Sequence, residues 1–185
     1  MGRLLCVAVL GLSLGAAHVP AARALDPEGL RQDLTEALEG DLPSYATGGF
    51  EFTGIETARR GEAVRVKILG LALPLPDLGG RLELGDLAFT VADAEPGSYR
   101  VSEVETASLA TLIDDKGGKA ALINYRLENL TGIWSAALRN FLDLDLAIGG
   151  FEVVVPGENL GFAIANISAV NRSLDRADGL IDMQG

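Results

Sequence analysis

The pattern of apolar and polar residues changes its period once along the chain, near Gly48. Before that point, apolar residues recur every three or four positions, which is the spacing of one helical face. The residues of this face are Leu30, Leu34, Ala37 and Leu38. Asp26 is suited to cap a helix, Pro27 to form its first turn and Gly40 to end it. We therefore predict an amphipathic helix over 27–39, which needs an apolar surface to pack on.

Beyond Gly48 the apolar residues alternate in short runs separated by turns that contain Gly or Pro, a pattern typical of an antiparallel meander. The predicted strands lie at about 49–58, 62–73, 81–92, 98–106, 119–130, 141–148, 150–156 and 160–170. Around Gly85 and Asp86 the apolar positions change parity, which predicts a β-bulge in the third strand.

Two segments have less regular patterns. In 131–141 the apolar residues, Trp134 and Phe141 among them, fit one helical stripe, which predicts a short helix. Near the end, 178–183 has the pattern of a turn followed by a strand, and the sequence stops at Gly185. This ending leaves two interpretations, a frayed tail or a piece of a longer protein.

These patterns together predict an α+β fold dominated by β-structure. We expect a curved antiparallel meander sheet of about seven to nine strands, with one N-terminal amphipathic helix packed on it. No linker separates the segments, and residues 25–185 are enough to close one hydrophobic core. We therefore predict a single β-rich domain.

The N-terminal segment has the layout of a secretory signal. Arg3 supplies a positive charge, 4–17 is an uncharged apolar run, and Ala22 and Ala24 are small residues where a signal peptidase cuts. A membrane anchor is the alternative, but a spanning helix needs about 20 apolar residues and this run is shorter. We predict a cleavable signal peptide over 1–24 and a periplasmic or secreted protein with no transmembrane segment after its removal.

Removal of this segment changes what the composition implies. The only His, His18, and the only Cys, Cys6, lie within it, so the rest of the chain has neither an imidazole nor a thiol. Serine–histidine triads, cysteine nucleophiles and histidine-ligated zinc sites are then excluded. We predict a protein without cofactor or metal, and a non-enzymatic role is favoured.

The charge balance limits the kinds of partner that the protein can bind. The chain has 15 Lys plus Arg against 26 Asp plus Glu, and without Arg3 and Arg23 the basic residues fall to 13, a net charge of −13. A protein this acidic repels phosphate backbones and anionic headgroups at long range. We therefore predict no nucleic-acid partner and favour an apolar small molecule or another envelope protein.

Two of the predicted strands are apolar on both faces. Burial of both faces in the core is the commoner outcome for such strands. The alternative is that one face lines a groove for an apolar ligand. The residues that would line this groove are Leu69, Leu71, Leu73, Leu75, Phe162 and Ile164.

Paired acids are the remaining candidates for chemistry. Asp143 and Asp145 project from one face of a strand and could bind calcium or act as acid and base. Their alternation with leucines favours a solvated polar face. The acids after Asp175 do not have the spacing of a calcium loop. We therefore assign no catalytic and no metal residue.

Three segments of the chain together resemble a known group of proteins. They are the helix start Asp26-Pro27-x-x-Leu30, "LGDLAFTVADAEPGSYRV" over 84–101, and "GIWSAALRNFLDLDL" over 132–146. The chain resembles a family of secreted, periplasmic alphaproteobacterial proteins of unknown function. The resemblance implies an exported, β-rich protein, and it implies no catalytic residue.

Three hypotheses for the function follow. The leading one is a non-enzymatic protein of the cell envelope that binds an apolar, lipid-like ligand or serves as a scaffold. One alternative is a hydrolase of envelope glycans that uses carboxylates only, which requires two acids to converge with opposed pKa shifts. The other is a protein-interaction module that offers a sheet edge to a partner.

Overall fold

The computed structural model describes residues 25–39, 49–76, 79–95, 98–135, 140–158, 161–173 and 181–184. The predicted signal peptide, with Ala22 and Ala24, lies outside these residues. Over the described part of the chain, no helix has the length and apolar character needed to span a bilayer.

One helix and nine strands make up this part of the molecule. They are α1 (Pro27–Glu39), β1 (Gly54–Arg60), β2 (Ala63–Leu75), β3 (Gly80–Glu95), β4 (Ser98–Thr106), β5 (Leu109–Asp114), β6 (Lys119–Ser135), β7 (Asn140–Val154), β8 (Gly161–Ser173) and β9 (Ile181–Gln184). All strand pairs are antiparallel, in the order β1-β2-β3-β4-β6-β7-β8-β9, and β5 joins β3 to β6 beside β4. The predicted β-dominated meander with one helix is confirmed.

The helix α1 begins and ends as its sequence predicts. Asp26 caps it, since the Gly29 amide donates to the Asp26 carboxylate at 3.1 Å. At the other end, the Phe50 amide donates to the Leu38 carbonyl at 2.7 Å. Gly49 allows the chain to turn back toward the end of the helix, because it has φ +65. A Cβ at this position would lie 2.6 Å from the Leu38 carbonyl oxygen.

The buried residues of α1 and of the sheet form one core. Leu34 and Leu38 of α1 are 1% and 2% exposed, and they join a cluster that runs through β2 and β3 to β7. Leu30 packs against the same cluster from a partly buried position. The helix therefore covers the first strands of the sheet, where α1 lies next to β1.

In β2 a bulge interrupts the run that the sequence shows as apolar on both faces. Gly70 has φ +59, and the pairing with β3 slips between Ile68 and Leu71. This bulge shifts the alternation by one, so that Leu71 and Leu73 continue the core begun by Ile68. The change of parity along β2 therefore marks a bulge, and beyond it both faces are covered, since Ala72 between Leu71 and Leu73 is buried as well.

The bulge predicted in β3 is confirmed at Gly85, which has φ +78 where the register with β2 slips again. The neighbouring Asp86 ties the two bulges together. Its carboxylate accepts from the Gly70 amide at 3.0 Å and lies 3.1 Å from Lys67 Nζ. The Gly70 hydrogen bond, and then Lys67, hold the pKa of Asp86 below its usual value.

The prediction of a helix over 131–141 is wrong for those of its residues that the structure describes. Residues 131–135 continue β6, and Asn140 begins β7. Trp134 and Phe141 are partners across the two strands, with ring centroids 5.1 Å apart in an edge-to-face contact. Residues 136–139 lie outside the described part.

Other strands differ from the predicted set in their bounds. β5 was not predicted, β1 begins at Gly54 rather than 49, and the runs 141–148 and 150–156 form the single strand β7. Gly150, with φ +71, lies within β7. The strand expected near the end is confirmed as β9 over 181–184.

Candidate interaction site

The last long strand of the sheet has one side without a partner. β8 pairs with β7 along 161–172, whereas β9 pairs with it only along 170–173. Within the described part of the chain, no strand pairs with 161–169 on the side away from β7. We call residues 161–169 the β8 edge.

The β8 edge has the composition of an unprotected strand. Its sequence, Gly-Phe-Ala-Ile-Ala-Asn-Ile-Ser-Ala, contains no charged residue and no proline. Natural sheets usually protect a free edge with charges, proline or a bulge. The opposite edge of this sheet, β1, follows that rule, since it carries Glu56, Arg59 and Arg60 and lies against α1.

The side chains of the β8 edge are accessible. Phe162 and Ile164 are 43% and 41% exposed, and they are among the few large apolar side chains of the described part with such exposure. They continue the core side of the sheet, because Ile164 pairs with the buried Phe151 and the Phe162 ring lies 5.8 Å from that of Phe151. The core therefore opens to solvent at β8.

One strand further in, Tyr125 pairs with Phe151 and is 8% exposed. Burial raises the pKa of the Tyr125 phenol, and a hydrogen bond with Thr106 partly offsets this rise. Tyr125, Phe151 and Ile164 thus form a row across three strands, from the core to the edge.

A shallow depression of about 620 Å³ lies where β6, β7 and β8 run side by side. Gly150, Ala163 and Ala165 contribute little or no side chain to it, which explains the hollow. Its polar lining includes Asn124, whose side-chain amide donates to the Glu152 carboxylate at 3.2 Å. Ile164 lines the same depression, so the hollow and the β8 edge form one surface.

The structure separates the residues predicted to line an apolar groove. Leu71, Leu73 and Leu75 are buried in the core, each less than a tenth exposed, and Leu69 is partly buried. Phe162 and Ile164 lie on β8, and the intervening strands of the sheet separate them from β2. Only the β8 pair is accessible from solvent, and a common site for all six residues stays a prediction.

A second irregularity lies within the sheet, between β4 and β6. At one end β4 pairs with β6, and at the other end β5 pairs with β6 in the same register. Between these ends, residues 102–107 and residues 126–131, all of which are described, form no cross-strand pair. In this register Glu105 would face Glu128, and like charges placed directly opposite destabilise a pair. Glu105 is instead ion-paired with Arg65 at 2.8 Å.

Arg65 belongs to a polar cluster on the side of β2 away from the core. Its side chain is 14% exposed, and it donates to the Glu103 carbonyl at 2.6 Å and to the Thr90 hydroxyl at 3.3 Å. Thr90 in turn donates to the Glu103 carboxylate at 2.7 Å. Glu103 has φ +50, at a point where the pairing of β3 and β4 slips. These contacts hold a strained bulge in place.

The acids considered for catalysis lie on β7. Asp143 and Asp145 are partly buried on β7, and none of the fully buried residues described is acidic. Burial, and then Glu36, raise the pKa of Asp33 on α1. The acids with a lowered pKa, Glu28 on α1 and Asp86 on β3, owe it first to hydrogen bonds with Arg31 and Gly70. No group of His, Cys, Asp and Glu that could hold a metal occurs in the part of the chain that is described.

Sequence reasoning did not single out Tyr125, Phe151 or Gly150 as parts of this surface. The available signal was the pair Gly149-Gly150, which predicted a boundary between two strands. In the structure it lies within β7, where small residues create the hollow beside β8.

Comparison with known protein families, with curated proteins and with solved structures finds no match for this chain. The function is therefore inferred from the geometry of the β8 edge and its surroundings.

Proposed function

We propose that this chain is an exported, non-enzymatic protein of the cell envelope that acts as a protein-interaction module. A partner adds a strand to the β8 edge. The observation that carries the proposal is the uncharged stretch 161–169, which has no strand on its side away from β7 in the described part of the chain and is exposed along 161–166.

Strand addition fits the chemistry of this surface. Main-chain hydrogen bonds to the unpaired side of β8 would supply affinity, and the alternating side chains would supply specificity. Phe162 and Ile164 offer apolar area to the added strand, and the small residues Ala163 and Ala165 let its backbone approach closely. The N-terminal signal layout supports a location in the envelope.

Photo-cross-linking tests this proposal in the cell that produces the protein. A benzophenone amino acid replaces Phe162, and the matched control replaces Leu109, which is also 43% exposed but lies on β5, paired with β6. We expect a discrete protein adduct from position 162 and none from position 109. The absence of an adduct at 162, or equal adducts at both positions, would contradict the proposal.

A second candidate function is the binding of an apolar ligand at the same end of the sheet. The depression of about 620 Å³ beside Ile164 and Phe151 is the observation that favours it. An apolar ligand there would cover side chains that are otherwise in contact with water.

Native mass spectrometry with lipid extraction tests the ligand hypothesis on protein purified from the periplasm. We expect a bound apolar species that is lost in Ile164→Asn and kept in Leu109→Asn. A mass equal to that of the bare chain in all three proteins would contradict this second function and leave the strand-addition proposal intact.

A further inference from the structure

We infer that the strand added to the β8 edge comes from a second copy of this chain, paired antiparallel about a two-fold axis at Ala163. This inference rests on the proposed function and names its partner. The interface is isologous, so each copy contributes the same five residues, 161–165.

Charge limits where a second copy can pair with this sheet. The chain carries a formal net charge of −11, so two copies repel each other over most of their surface. The β8 edge contributes no ionisable group to the contact. The other edge, β1, would bring Glu56 and two arginines into the interface and lies against α1.

In antiparallel self-pairing about Ala163, large apolar side chains lie opposite each other on one face of the sheet and small residues lie opposite each other on the other face. With the axis at Ala163, Phe162 lies opposite Ile164 of the second copy, and Ile164 lies opposite its Phe162. Both residues pair with Phe151 or Val153 of the core cluster, so the added strand would extend the apolar face that carries Phe151 across the interface. On the other side, only Gly161, Ala163 and Ala165 meet, which lets the backbones approach to strand-pairing distance. If the pairing of the two copies shifted by one residue, each apolar side chain would lie opposite a residue whose side chain points to the other face of the sheet.

The position of β9 excludes the registers that would use the whole edge. An axis between Ala165 and Asn166 would use the whole edge, but it would place β9 of one copy against Gly161 of the other, where β8 begins. With the axis at Ala163, β9 of the second copy begins about five residue positions, roughly 16 Å, beyond Gly161.

Single-cysteine variants test the register directly. In a Cys6→Ser background the chain has no other thiol, so each variant carries one. Ala163→Cys places the two sulfurs opposite each other across the axis, within reach of a disulfide. Ala165→Cys is the matched control, since it is on the same strand face and also exposed, but its two copies lie roughly 13 Å apart in this register.

We expect mild oxidation to convert Ala163→Cys into a disulfide dimer of twice the chain mass and to leave Ala165→Cys monomeric. Cross-linking of Ala165→Cys alone, or of both variants equally, would overturn the register. Sedimentation of the wild-type chain should show a dimer that strengthens as salt screens the like charges, and Ile164→Lys should abolish it while Leu109→Lys keeps it. A wild-type chain that stays monomeric at all salt concentrations would overturn the inference.

The two proposals fail separately. A photo-adduct from position 162 with a mass other than that of two copies contradicts the self-pairing and supports strand addition by another protein. The absence of any adduct at 162 contradicts both.

Discussion

β2 and β8 have similar sequence patterns and opposite environments. Both are rich in apolar residues on alternate positions, and both pair along almost their whole length with a neighbouring strand. In β2, Val64, Val66 and Ile68 are fully buried, whereas Phe162 and Ile164 of β8 are about two-fifths exposed. The apolar pattern therefore predicts a strand in both cases but does not predict its burial.

The difference arises from what covers each strand. β2 lies between β1 and β3, and the core that it joins includes Leu34 and Leu38 of α1. On β8 the described structure provides a neighbour on one side along 161–169 and no helix. Apolar area left in water in this way is a surface on which a partner gains free energy by binding.

The largest expected effect compares truncations at the two places. Leu38→Ala should lower the free energy of unfolding by about 2–5 kcal/mol, because it leaves a cavity between α1 and the sheet. Phe162→Ala should cost about 1–2 kcal/mol in the monomer, because its side chain is already 43% exposed to water. Urea denaturation at a protein concentration that keeps the chain monomeric measures both, and equal losses would remove the distinction between the covered and the open end.

Two glycines with the same backbone conformation sharpen the comparison. Gly49→Ala should cost more than about 2 kcal/mol, since the left-handed φ alone costs about 1–2 kcal/mol and the new Cβ would meet the Leu38 carbonyl. Gly150→Ala, with φ +71 and no atom within 4 Å of its Cβ position, should cost only the backbone part, about 1 kcal/mol. Thermal unfolding compares the two, and a larger loss for Gly150→Ala would contradict the contact assigned to Gly49.

The ion pair and hydrogen bond of Asp86 give the covered end a dependence on pH. Because the fold lowers the pKa of Asp86, its contribution is present above the pKa of the unfolded chain and is lost as pH falls through the folded pKa. Asp86→Asn should therefore be less stable than the wild type at neutral pH. The two proteins should converge in acid, and a constant difference across an acid series of urea titrations would contradict this role.

The smallest expected effect concerns Asp33 on α1, whose pKa is raised by burial and by Glu36. A carboxyl with a raised pKa destabilises the fold once it ionises, so stability falls as pH rises through the folded pKa. Asp33→Asn should give a slight gain in unfolding temperature at neutral pH, and the gain should vanish in acid. A loss at neutral pH would show that Asp33 makes a favourable contact instead.

The local features of the fold could be predicted from the sequence. The cap at Asp26, the strand 98–106 and the bulge at Gly85 depend on short-range patterns, and the structure confirms them. The helix expected at 131–141 was wrong for a geometric reason. Trp134 and Phe141 are seven residues apart, and this spacing fits one helical face as well as it fits partners in a hairpin.

The candidate site could be predicted only in part. Phe162 and Ile164 were identified as apolar residues on a strand, but their exposure depends on the extent of β9 and on the reach of α1, which no local pattern encodes. β5 was not predicted because its apolar residues do not alternate strictly with polar ones. It is a short strand that pairs with β3 on one side and β6 on the other.

Amide hydrogen exchange of the β8 edge tests the central claim most directly. At low protein concentration, every second amide of 161–169 should exchange rapidly, because it faces away from β7, while the amides of 64–68 in β2 stay protected. At high concentration, the rapidly exchanging amides near Ala163 should become protected as the second copy adds its strand. Full protection of 161–169 at every concentration would contradict a free edge, and unchanged rapid exchange at high concentration would contradict strand addition by a second copy.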